Sequence, residues 1–176
     1  MNKNHLRRPS YDRSLILDRD GTLNFDNGYS HLAEELNLIP IAIEVLQFAS
    51  SKGFNFFVAS NQGGLALEKF SLIQMNSFNA ELNQQLSRRG IFLNAIYCCT
   101  HHPDSKILSL CSCHCRKPQP GLYEALIEDY ELNPSTTTVV GNSIADIEPA
   151  NVMSLKSFLV ESQDCWTIFR DWVAEQ

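Results

Sequence analysis

Five short, nearly continuous apolar runs restrict this 176-residue chain more than anything else in it. They cover residues 14–17, 54–60, 95–99, 136–140 and 157–160, and polar groups stand directly behind the first, second and fourth. Runs of four to seven apolar or β-branched residues, without polar alternation, are how strands read when both faces of a sheet are covered. Helical patterns fill the gaps. Pro40 suits a first turn, and Ala42, Val45, Leu46 and Ala49 repeat at helical spacing before Gly53. Ser71 and Gln74 have the form of a capping box, followed by the stripe Met75, Phe78, Leu82 and Leu86. Arg88 and Arg89 fall in the expected last turn, and Gly90 ends it. Shorter helices are expected over 121–130 and 146–153. A C-terminal amphipathic helix carries Trp166, Phe169, Trp172 and Val173, with both Trp docking on the core. Strands alternating with helices predict an α/β fold, an open, mostly parallel, Rossmann-like sheet with helices on both faces. One domain over 1–176 is expected.

Such sheets bind ligands beyond the carboxyl ends of their strands. Asp18 and Asp20 follow the first run, Ser60 and Asn61 end the second, and Asn142 and Asp146 follow the fourth. Three strands therefore deliver polar groups to one edge. In 18-DRDGTL-23, two carboxylates two positions apart can share a hard cation, and one can attack phosphorus. Taken singly, Ser60 would be a turn cap and Lys117 a solvated charge; beside the paired carboxylates both become candidates for holding a phosphoryl group.

Charge and cysteine placement narrow the partners. The net charge is −6, which disfavours a broad electrostatic grip on nucleic acid. Hydrophobic residues make up 44% and charged residues 19%, a globular balance, and no apolar run is long enough to span a bilayer. The basic start lacks the apolar stretch of a secretory signal, so a cytoplasmic protein without membrane contact is expected. Five of the six cysteines lie within residues 98–115. In a chain read as intracellular, such a cluster points to metal rather than disulfides. Cys99, His101, Cys113 and Cys115 supply three thiolates and one imidazole, a complete tetrahedral set for structural zinc. That zinc would clamp residues 102–112 and fix Arg116 and Lys117. Cys98 is expected to point into the core. Cys111, His102 and His114 are competing ligands.

The strand-borne motifs, in this order, resemble the haloacid dehalogenase superfamily of phosphatases: 18-DRDGT-22, Ser60, Lys117 and 141-GNSIAD-146. The resemblance implies that Asp18 is a nucleophile forming an aspartyl-phosphate and Asp20 the general acid and base. It implies that Mg2+ is held by Asp18, Asp20 through its backbone carbonyl, and Asn142, with Asp146 as a further candidate. Ser60, Asn61 and Lys117 are implied at the phosphoryl group. The sulfur-rich loop and 115-CRKP-118 narrow the likeness to the histidinol-phosphate and heptose-bisphosphate phosphatase group, nearest its heptose-bisphosphate members. That implies a small phosphorylated sugar as substrate, with Arg116 gripping the phosphate that is not hydrolysed. Histidinol phosphate is the alternative substrate, and a weakened relative that only binds is the alternative class. Two departures stand out: Asn142 replaces the Asp of the fourth motif, and Leu67 stands where the group has arginine. The short segment between Leu23 and Pro40 leaves no room for a cap domain, so an open site and a monomer are expected.

Overall fold

The computed structural model describes residues 11–176, so the basic start of the chain, residues 1–10, lies outside it. The strands are β1 Ser14–Leu17, β2 Asn55–Asn61, β3 Leu93–Cys99, β4 Thr137–Gly141 and β5 Lys156–Leu159. They form one parallel sheet in the order β3-β2-β1-β4-β5. The helices are α1 Pro40–Ser51, α2 Leu72–Ser87, α3 Gly121–Tyr130, α4 Ile144–Val152 and α5 Gln163–Ala174. The chain leaves β1 toward β2 and β3 and then crosses to β4 and β5, which puts the switch point between β1 and β4.

Period-two alternation sorts the apolar side chains between two cores. Leu15, Leu17, Phe56 and Val58 face one side, where α1, α2 and α5 bring Val45, Leu46, Leu82, Leu86, Trp166, Phe169 and Val173. Ile16, Phe57, Ala59 and Val139 face the other, against Leu122, Tyr123 and Leu126 of α3 and Ala150 of α4. Both faces are covered, which is why the runs are apolar throughout. Trp166 is buried, and Trp172 packs half-buried against the first core.

Element ends follow local chemistry. Ser71 caps α2, with its hydroxyl accepting from the Gln74 amide N–H and the Gln74 side chain returning to the Ser71 N–H. α2 ends at Ser87, so Arg88 and Arg89 lie just past its last turn, where Arg89 donates to the Gln85 carbonyl. α4 starts two residues earlier than its apolar pattern indicates, because Ser143 and Asp146 form a capping box across its first turn. No helix among the described residues is long and apolar enough to cross a membrane. Between Leu23 and Pro40 the chain forms a 3-10 turn, Ala33–Glu35, and a single antiparallel bridge between Asn24 and Leu38.

Candidate active site and metal centre

The ladder between β1 and β4 runs one bond past the strand: the Asp18 N–H donates to the Val140 carbonyl at 2.9 Å. The chain then winds around the Arg19 carbonyl, which accepts from the N–H groups of Leu23 and Asn24. Gly21 sits inside this turn at φ +83, and a Cβ there would lie 2.2 Å from the Asn142 amide nitrogen. Glycine is thus required both by its dihedral and by the close approach of the β4 loop.

Lys117 lies at the centre of the site and is almost fully buried. Its Nζ meets Asp18 Oδ1 at 2.7 Å, Asp146 Oδ1 at 2.6 Å and the Ala59 carbonyl at 2.6 Å, so all three N–H bonds are engaged. Burial alone would lower its pKa, but the charges of Asp18 and Asp146 outweigh that and raise it. Burial pushes Asp18 up to about 6; Lys117 opposes the rise and Asp146 adds to it. Asp146 Oδ2 accepts from the Ser143 N–H and hydroxyl at 3.0 and 2.8 Å, so this carboxylate caps α4 while holding Lys117. Asp18 and Asp146 share one ammonium here, and Asn142, whose Oδ1 accepts from the Thr22 hydroxyl at 3.4 Å, lines the same cavity with Asp20. A charge-deficient cluster of hard oxygen donors fits a divalent cation such as Mg2+.

Asp20 points to the opposite wall. Its Oδ2 accepts from Arg19 Nε and NH2 at 3.1 and 2.8 Å and from Gln62 Nε2 at 2.8 Å; its Oδ1 accepts from Asn24 at 3.0 Å. The Gln62 amide also donates to Ser60 Oγ at 2.9 Å, leaving the Ser60 hydroxyl proton free for another acceptor. Asn61 behaves differently from Ser60. Its side chain accepts from the Lys117 N–H at 3.0 Å and donates to the Lys117 carbonyl at 2.9 Å, clamping the backbone of that lysine.

Asp18, Asp20, Ser60, Asn61, Arg116, Lys117, Asn142 and Asp146 all line one cavity of about 380 Å3. Leu67 is not among its lining residues. Gln62, His102 and Tyr29 also line it, and motif order did not single them out as contacts. Gln62 carried a signal in its place directly after Asn61, and Tyr29 in the family-like string 28-GYSH-31; His102, read from the sequence as a competing zinc ligand, is brought to the cavity by the fold.

The sulfur cluster adjoins the site. Cys99, His101, Cys113 and Cys115 offer ligand atoms all within 4.8 Å of one another, with sulfur–sulfur distances of 3.1–3.6 Å and His101 Nδ1 3.5 Å from Cys115 Sγ. Burial and then the neighbouring Cys115 sulfur raise the Cys99 thiol. Crowded sulfurs are poor partners as thiols and good ones as thiolates on zinc, and the spacing fits a structural zinc site. The competing ligands are occupied elsewhere. The Cys111 thiol donates to the Ser105 carbonyl, His102 Nδ1 accepts from the Asp104 N–H, and His114 pairs with Glu124. The expectation for Cys98 needs correction: it is half-buried beside Asn79 on the edge strand, and Cys99 is the buried member of the pair. Arg116 ties the cluster to the cavity, with its N–H donating to Cys113 Sγ and its guanidinium to the His101 carbonyl.

Comparison with known proteins bears on the family and the fold. Residues 114–165 match the HAD-hydrolase-like family model. The D-glycero-beta-D-manno-heptose-1,7-bisphosphate 7-phosphatase of Pasteurella multocida is 36% identical over 135 residues, covering 77% of this chain and 73% of that protein. The enzyme of the same name from Escherichia coli strain K12 is 31% identical over 138 residues, covering 78% and 72%. Among solved structures, the D,D-heptose 1,7-bisphosphate phosphatase of B. bronchiseptica, complexed with magnesium and phosphate, superposes with a TM-score of 0.74. It is 28% identical, covering 84% of this chain and 79% of that one. With paired carboxylates, a buried lysine and a sulfur cluster in one fold, the chain belongs to the heptose-bisphosphate phosphatase family of the haloacid dehalogenase superfamily.

Proposed function

We propose that this protein is a magnesium-dependent phosphomonoesterase that removes the 7-phosphate of D-glycero-D-manno-heptose 1,7-bisphosphate through an aspartyl-phosphate. The observation that carries the reading is Lys117, which holds Asp18 and Asp146 at 2.7 and 2.6 Å at the switch point of the sheet. Asp18 attacks phosphorus; the new bond to its carboxylate oxygen forms as the ester P–O bond breaks, and Asp20 gives its proton to the leaving alkoxide. Asp20 then takes a proton from water attacking the acyl phosphate, releasing inorganic phosphate and restoring Asp18. Ser60 donates to the transferring phosphoryl group, the Lys117 charge offsets the negative charge gathered there, and Asn61 keeps the lysine in place. A magnesium ion held by Asp18, the Asp20 carbonyl and Asn142 would neutralise charge on the phosphoryl oxygens. Arg116, lining the same cavity, presents a planar fork to the second phosphate.

Asn142 favours a second reading, a relative that binds without turnover, because a neutral amide holds magnesium less well than a carboxylate. Against it, the nucleophile, the acid/base and the lysine are all intact. Phosphate release with magnesium from the heptose bisphosphate, histidinol phosphate and a nucleotide panel, with 31P NMR of the product, tests the proposal. Heptose 1-phosphate is the expected product. Faster release from histidinol phosphate would overturn the substrate, and no release from any ester would overturn the enzyme.

A further inference from the structure

A fully buried arginine follows the nucleophile directly. Arg19 has no exposed surface, and its guanidinium stacks 4.4 Å from the centre of the Phe78 ring. Its NH1 donates to Asn79 Oδ1 of α2 at 2.9 Å, and its NH2 donates both to the Ser30 carbonyl and to Asp20 Oδ2, each at 2.8 Å. Nε adds a second bond to that same carboxylate oxygen at 3.1 Å. A side chain that merely filled the space beneath the sheet would do so as well without charge, since a buried ion pair seldom adds stability over apolar packing. What the arginine does supply is direction. With Gln62 it places three N–H bonds on Oδ2 of Asp20, an oxygen that can then only accept. Oδ1 accepts a single bond, from Asn24, and keeps a lone pair.

We infer that Arg19 is a positioning residue: it locks Asp20 Oδ2 against α2 and the 24–39 segment and thereby leaves Oδ1 as the oxygen that exchanges the proton with the leaving group. This rests on the acid/base role proposed for Asp20, and the test separates the two. A poor leaving group, the 7-alkoxide of the heptose bisphosphate, needs a proton in the transition state. The phenolate of p-nitrophenyl phosphate does not. Asp20→Asn is the control and should lower kcat/KM, which reports phosphoryl transfer to Asp18 and excludes the hydrolysis step common to both esters, by about 100-fold or more on the sugar ester and by less than about tenfold on the aryl ester. Arg19→Met should reproduce that split, with a loss of about 30-fold against less than about threefold, and Arg19→Lys should restore part of it. Should Arg19→Met fail to fold in a thermal melt, Arg19→Lys and Asn79→Leu, which frees the far end of the guanidinium, decide by the same split. Equal losses on both esters, or none, in the folded Arg19 and Asn79 variants while Asp20→Asn shows the split would overturn the inference alone. No split in Asp20→Asn, or no turnover of either ester by the unmodified protein, would overturn the acid/base reading and the inference with it.

Discussion

Two polar constellations sit side by side at this sheet edge, and they are built in opposite ways. The sulfur set is local: all four ligands fall within residues 99–115, in one loop and the strand end that feeds it. The carboxylate set is assembled from a distance. Asp18 comes from the end of β1, Ser60 from β2, Asp146 from the first turn of α4, and Lys117 reaches them from the loop before α3. The local set fits a zinc ion that would hold it together; the distributed set is held by the sheet. Lys117 joins the two, standing two residues after Cys115 yet bonded to Asp18 and Asp146. Damage to the distributed set should therefore remove chemistry without the fold, whereas damage to the local set should remove part of the fold and only then the chemistry.

The largest effect expected is on turnover. Asp18→Asn should lower it by about 10⁴-fold or more, since an amide cannot attack phosphorus. The melting temperature in magnesium-free buffer should hold or rise. Burial holds Asp18 at about 6 against 3.8 for a free side chain, so its ionisation works against folding. That cost is absent below pH 3.8 and fully present above about 6. A fall in melting temperature at pH 7.5 would show that the carboxylate set also holds the fold.

Breaking the sulfur set comes next. Cys115→Ser should cost about 3 kcal/mol or more through weakened zinc binding, or roughly 10 °C in melting temperature for a chain of this size. Metal analysis should show zinc falling from one per chain, with activity falling after it as Lys117 loses its anchor. Unchanged stability with zinc lost would show that the metal does not hold the loop.

Asn61→Leu probes the joint itself. The clamp on the Lys117 backbone should loosen, lowering kcat/KM by about 10²-fold while zinc stays bound. Loss of zinc in this variant would mean that the two sets are not separable. Asn142→Asp should have the smallest effect. It should lower the half-saturating magnesium concentration by up to about tenfold, or about 1.4 kcal/mol. An unchanged or higher value would place Asn142 off the metal.

The same contrast explains what the sequence reveals. The sulfur ligands are legible because soft donors at short spacing have few other uses, and the strands are legible because burial on both faces leaves no polar alternation; every limit falls within two residues of the apolar run. Asp18, Asp20 and Lys117 are legible only as an ordered set behind strands. What pattern cannot give is the partner of each side chain. Asn61 reads as a phosphate contact, yet it bonds the backbone of a residue 56 positions away. Gln62 reaches Asp20 across 42 positions and Arg19 reaches Asn79 across 60. Those pairings are set by parallel register and helix placement, which no local pattern records.

The proposed mechanism requires Asp18 to carry the phosphoryl group. Acid quench during the first turnovers, borohydride reduction of the acyl phosphate and peptide mass spectrometry would locate it. Reduction is expected at Asp18, absent in Asp18→Asn and absent without substrate. Reduction at Asp20 or Asp146, or full-rate turnover with no reduced residue, would contradict it.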